Sequence, residues 1–308
     1  MRSCMSTDRM RPVAWALVVS VMLAIAGCSP GSGGDVPSAE TNTGSTGPST
    51  VIASITLPSA TSLPPISATP TALGASFAEL ESSLAGSVGI AYAPVGGGAP
   101  PAALGDWSHG SAWSTIKVPL AVAAFRQSGS AADQYAVAAI TRSDNDAAEQ
   151  LWELLGAPVT AGAAVQRVLA EAGDTATVVE TRKVRPEFSA FGQTDWALAD
   201  QVGFAADLPC LPMSERVFEL MGSVTADQQW GLAAIPGARF KGGWGPDSAS
   251  GGYLVRQFGV ITTPAGQTAV ALAAMPDSGS FTDGTAILTK IGNWLAAHAA
   301  ELPGGTCP

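Results

Sequence analysis

The chain has 308 residues, 25 acidic against 15 basic, and a formal net charge of −10. That acidic balance argues against a nucleic-acid partner and against binding anionic lipid through basic patches. Only two histidines are present, His109 and His298, so a Ser-His-Asp reading has little material to work with.

In chain order, Arg2, Arg9 and Arg11 precede an apolar run from Val13 to Ala26. The run is too short for a comfortable membrane span, and residues 1–27 read as a cleaved export signal. It ends in Ile25-Ala26-Gly27-Cys28, which resembles a bacterial lipobox, so Cys28 is the expected lipidation site. The expected location is therefore the outer face of the bacterial cell membrane, held there by the lipid on Cys28. Residues 28–74 carry no Lys, Arg or aromatic residue and are dominated by Ser, Thr, Pro, Gly and Ala. Such a segment buries too little apolar surface to offset its chain entropy and is expected to be a disordered tether. As a flexible coil it reaches roughly 35–40 Å. Residues 75–308 suit one substantial domain, expected to be monomeric. Without the signal, which holds three Arg and one Asp, the net charge becomes about −12. Cys4 leaves with the signal and Cys28 takes lipid, so Cys210 and Cys307 are expected to form one disulfide in an oxidising location.

Within the domain, residues 75–84 place Phe77, Leu80 and Leu84 on one helical stripe. Ser87–Pro94 alternates as a strand does, and Gly97-Gly98 reads as a hairpin turn. A helix is predicted from Ser114 to Gln127, with further helical patterns at 131–141, 146–155, 160–172 and 196–207. Strands are predicted at about 238–242, 252–261 and 268–275. A closing helix from Thr282 to Ala299 turns Ile287, Leu288, Ile291 and Leu295 inward. Strands at both ends with helices between them give a mixed α/β (α+β) domain, an antiparallel sheet plus an inserted helical region.

Three strings carry the chemistry: Ser114-Thr115-Ile116-Lys117, Ser143-Asp144-Asn145 and Lys241-Gly242-Gly243. An alcohol needs a nearby base to act as a nucleophile at neutral pH. At i, i+3 on a helix, Ser114 and Lys117 share a face. A lysine becomes a base only where burial or a neighbouring cation depresses its pKa, which arginine does not allow. The chain has four lysines against eleven arginines, and two of the four fall in these strings. Ser143-Asp144-Asn145 precedes a helical stretch and would also serve as an N-cap. Lys241-Gly242-Gly243 ends a strand pattern, where glycine lets another backbone approach.

The order of these strings, and the stretch from Trp113 to Ala123, resemble serine β-lactamases and penicillin-binding peptidases, above all class A β-lactamases. The resemblance implies the β-lactamase/transpeptidase assembly and a serine acyl hydrolase with no cofactor and no metal. It implies catalytic roles for Ser114, Lys117, Ser143 and Lys241, with Ser143 relaying a proton and Lys241 offering a charge to a substrate carboxylate. Asn145 would bond a substrate amide, and the N–H groups of Ser114 and Trp244 would form an oxyanion hole. Gly243 would line the substrate, and Arg256 would be a second carboxylate anchor. The expected substrate is a β-lactam or a peptidoglycan peptide. Three departures stand out: Gly242 replaces a Thr or Ser, the interval from Ser114 to Ser143 is short, and no Glu-x-x-Leu-Asn setting follows the second string. Glu187 is the nearest candidate for the deacylation base. A catalytically inactive relative that binds envelope ligands is the alternative reading.

Overall fold

The computed structural model describes residues 71–97, 99–247 and 250–308. The expected signal over 1–27, the lipid site Cys28 and residues 28–70 of the expected tether lie outside the described residues. No helix among the described residues is long and apolar enough to cross a membrane.

Helix α1 (Ala72–Glu81) starts three residues before the predicted 75, because Thr71 caps it by accepting from Gly74 N. It buries Leu73 and Phe77. Strand β1 (Gly86–Pro94) makes the predicted hairpin with β2 (Ala102–Gly105), Tyr92 opposite Ala102. A short strand β3 (His109–Ser111) then leads through a 3-10 turn (Trp113–Ile116) into α2 (Lys117–Ser128). Helices α3 (Asp133–Thr141), α4 (Asn145–Leu154) and α5 (Pro158–Glu171) follow. The predicted helix over 196–207 loses its first two residues to β4 (Asp195–Ala197), which pairs with β3, and the rest is α6 (Leu198–Asp207). Pairing of His109 with Ala197 overrides the helical pattern there, a tertiary contact that local periodicity does not encode. A short helix α7 (Glu215–Leu220) carries no long periodic run and was not predicted. The chain closes with β5 (Arg239–Pro246), β6 (Tyr253–Thr263), β7 (Gly266–Pro276) and α8 (Phe281–Ala297).

The main sheet runs β2-β1-β7-β6-β5, antiparallel throughout, so the two chain ends meet at the β1–β7 pair. Its two faces follow the period-2 rule. On β7, Val270, Leu272 and Ala274 join the core with Ile287, Leu288, Ile291 and Leu295 of α8. Fully burying each aliphatic side chain of α8 contributes about 1.5–3 kcal/mol. Ala269, Ala271 and Ala273 face the other way and join the core that contains Leu198, Val202 and Ala205 of α6. Small residues on that face let α6 sit close to β7 and β1. Cys210, just past α6, bonds to Cys307 in the C-terminal tail, with Cα atoms 5.4 Å apart.

Candidate active site

The helix predicted to start at Ser114 begins instead as the 3-10 turn, with Ser114 its second residue and Lys117 the first of α2. In a 3-10 turn, side chains at i and i+3 eclipse, so Ser114 and Lys117 remain on one side. Pro119 falls in the first turn of α2, where its missing N–H breaks no helical bond. Trp113, directly before the serine, has φ 50°, a left-handed conformation that a bulky residue rarely holds. Its ring is fixed by an edge-on contact with Phe188 and by the Arg185 guanidinium, 5.0 Å from its centroid. Gly245 makes room for it, since a Cβ there would come within 2.5 Å of the indole.

Ser143 has φ 57° and is the second strained residue of the site. This turn aims both of its oxygens at amines: Lys117 Nζ donates to Ser143 O at 2.6 Å, and Lys241 Nζ donates to Ser143 Oγ at 2.9 Å. Lys117 also donates to Asn145 Oδ1 at 2.7 Å and Asp144 O at 3.2 Å. The Asp144 carboxylate caps α4 by accepting from Ala147 N, the N-cap role open to this string. Burial pulls the Lys117 pKa down to about 7, against the opposing pull of Asp144 and Glu149. Lys241 is held well below its ordinary value, first by complete burial and then by the neighbouring Lys117. The Ser114 hydroxyl makes no hydrogen bond with Lys117; all three ammonium donors of Lys117 go to the 143–145 turn.

Strand β5 is an edge strand and packs directly on the nucleophile turn. A Cβ at Gly243 would lie 2.9 Å from both Ser114 N and Thr115 N, so this glycine is required by the protein's own backbone. Gly243, expected to line the substrate, is also absent from the wall of the cavity described below. Phe240 N–H points outward to Met221 O, and Gly242 O points outward to Lys241 Nζ. By the alternation of an antiparallel strand, the Trp244 N–H also faces the open edge. Ser114 N–H precedes the first helical donor, Thr115 N to Ala112 O, and so belongs to the unpaired first turn. The two expected oxyanion-hole donors therefore sit at one junction between strand and turn.

These elements border a cavity of about 460 Å³. Ser114, Lys117, Ser143, Asn145, Glu187 and Trp244 all line it. Lys241 does not: it is fully buried and reaches the site only through the Ser143 hydroxyl. This corrects its expected part as a direct carboxylate anchor. Sequence reasoning missed Glu149, Lys183, Phe188, Phe191 and Tyr253, which also line the cavity. Lys183, Phe188 and Phe191 come from the irregular segment between α5 and β4, whose membership in the wall no spacing rule indicates. Arg185 ties that segment to β5 by donating to Pro246 O. The two histidines serve elsewhere: His109 lies beside Asp195 on the surface, and His298 bonds Ser76 and Trp294 O.

Arg256 corrects the expectation of a second substrate anchor. It is fully buried and donates to Gly110 O, Ser111 O, Trp196 O and Gln201 Oε1. Burial lowers its pKa to about 9, so it stays charged at neutral pH. Gln201 Nε2 in turn donates to Thr115 Oγ1, beside the nucleophile. Arg256 is thus a positioning residue behind the turn, screened from the cavity by it. Gly242 also has an internal reason: a Cβ would meet the Trp230 ring at 2.7 Å. Gly242→Thr should destabilise the fold by about 1–3 kcal/mol through overpacking. Combining it with Trp230→Leu should relieve part of that loss, read as non-additivity in urea midpoints. Additive losses would show that the indole is not the obstacle.

No sequence-family model matches the chain, and no curated protein matches it in sequence. Solved structures do match in fold. A variant of the reconstructed last common ancestor of Gram-negative class A β-lactamases superposes with a TM-score of 0.58 at 19% identity, over 76% of this chain and 100% of the other. A class A β-lactamase from Mycobacterium abscessus gives 0.57 at 16% identity, over 73% and 98%. The fold is that of the serine β-lactamases, a mixed α/β domain built on an antiparallel sheet.

Proposed function

We propose that this chain is a serine acyl hydrolase acylated at Ser114 by the carbonyl of an amide or a β-lactam. One observation carries the reading. Ser114, Lys117 and Ser143, from two segments far apart in sequence, line one cavity, and Lys241 from a third is buried behind Ser143, whose two oxygens join the amines. The neutral amine of Lys117 takes the Ser114 proton as Oγ adds to the carbonyl carbon. The N–H groups of Ser114 and Trp244 hold the oxyanion. Ser143, oriented by Lys241, passes a proton to the leaving nitrogen as the C–N bond breaks. Catalytic hydrogen bonds are often long without substrate and tighten in the complex, so the open Ser114–Lys117 contact is compatible with this sequence.

The aromatic wall of Trp113, Phe188, Phe191, Trp244 and Tyr253 suits a β-lactam or a stem-peptide substrate with an apolar side group. Export and anchorage through a lipid on Cys28 complete the proposal and rest on the sequence signals alone. The engaged Lys117 ammonium favours a second reading, a binding protein for envelope peptides that does not react. Incubation with a fluorescent penicillin, followed by mass spectrometry, tests the first reading. A covalent adduct on the full chain that disappears in Ser114→Ala is the expected result. No adduct and no turnover, with peptidoglycan fragments still retained by Ser114→Ala, would leave only the binder.

A further inference from the structure

We propose that Glu149 is the general base of the hydrolytic half-reaction, activating the water that releases the acyl group from Ser114. The inference rests on the acyl-enzyme reading above and names a different residue for the step for which the sequence offered Glu187. Glu149 lies on α4, one turn beyond Asn145, and the i, i+4 spacing stacks the two side chains on one face. Asn145 Oδ1 accepts from the Lys117 ammonium, so that face of α4 looks toward the same amine. Glu149 is half-buried, lines the cavity with Ser114 and Lys117, and makes no hydrogen bond or ion pair among the described residues.

Other carboxylates are less well placed. Asp144 is engaged as the cap of α4. Asp146 and Glu187 line the cavity but are exposed. Of the cavity-lining carboxylates, Glu149 is the one whose field acts on Lys117. The step balances with water as the co-reactant. Glu149 removes a proton as the water oxygen adds to the acyl carbonyl carbon. Collapse of the tetrahedral intermediate breaks the C–Oγ bond, and the proton returns to Ser114 Oγ by way of Lys117.

The test measures the lifetime of the fluorescent penicillin adduct on the full chain. Measured at pH 9, above the Lys117 inflection where its protonation no longer limits labelling, Glu149→Gln should still label at Ser114 but hold the adduct about 10²–10⁴-fold longer than the unsubstituted protein, the usual worth of a general base. Glu149→Asp should fall between them, and Glu153→Gln, one turn on and bonded to Gln150 outside the cavity, should leave the lifetime unchanged. Label that leaves Glu149→Gln at the unsubstituted rate would overturn the base while leaving Ser114 as nucleophile. A lengthened lifetime in Glu187→Gln instead would move the base to the other wall, with the same consequence. Absence of label on the unsubstituted protein would remove both readings together. A readout independent of turnover is the NMR titration of the four lysine side chains, with Lys117 assigned from Lys117→Met. Replacing Glu149 by Gln should lower the Lys117 midpoint, and an unmoved midpoint would show that the two groups are not coupled.

Discussion

Acylation of Ser114 should fall about tenfold for each pH unit below about 7 and level off above it, and Lys117→Met should lower the plateau by about 10²–10⁴-fold. The sign follows from the role. Only the neutral amine accepts the serine proton, and burial brings the Lys117 pKa to about 7, so the reactive fraction grows as pH rises through that value. Asp144 and Glu149 work against burial by favouring the ammonium, which keeps the inflection within the working range. When the amine loses its proton, two donors remain to hold it on the 143–145 turn, and the lone pair becomes available to Ser114. Lys117→Met removes the base and leaves three acceptors in the turn without their shared donor. Rapid-mixing measurements of penicillin labelling between pH 5 and 9 check both parts. An inflection near 7 that survives in Lys117→Met would assign it to another group and withdraw lysine as the base.

Much of this site could be read from the chain because the chemistry is written in short local strings. Ser114 and Lys117 need only a helical turn to share one side, and Asp144 needs only the start of α4 to become its cap. Which side of β7 and α8 is buried was legible for a related reason, since alternation and a helical stripe are local patterns, whereas the assembly of the sheet from both chain ends came from the resemblance and not from periodicity. What stayed hidden depends on residues that meet only in three dimensions. Nothing in Arg-Gln-Phe reveals that Arg256 lies opposite Gly243 and beneath the 110–116 segment, where it is held by main-chain oxygens and the Gln201 side chain. A glycine at 242 looks like a lost substrate contact until the Trp230 indole is seen to occupy the space. Lys241 reads as a charge offered to a substrate carboxylate at the end of a strand, but burial leaves it the task of orienting Ser143. Strain adds a further layer invisible to spacing. The left-handed residues Trp113 and Ser143 flank the reacting groups, where such conformations persist only when packing over-determines them.

Removing the Cys210–Cys307 bridge should cost about 4–5 kcal/mol while leaving the rate of Ser114 labelling unchanged at low temperature. The two cysteines are 97 residues apart, and a cross-link that closes so long a loop restricts the unfolded chain strongly. Native contacts at the tail are modest by comparison: Gly305 bridges Gln267, and Thr268 Oγ1 donates to Pro303 O. Neither cysteine lines the cavity that holds Ser114. The loss should therefore appear in stability and not in chemistry. Urea unfolding of the Cys210→Ser/Cys307→Ser variant should show a lower midpoint and a steeper dependence on denaturant, because the released chain exposes more surface. Coincident midpoints for the bridged and unbridged proteins would mean that the tail contacts already hold the terminus in place. Slowed labelling in a still-folded variant would instead show that the bridge reaches the site through α6, whose Gln201 bonds Thr115 beside the nucleophile.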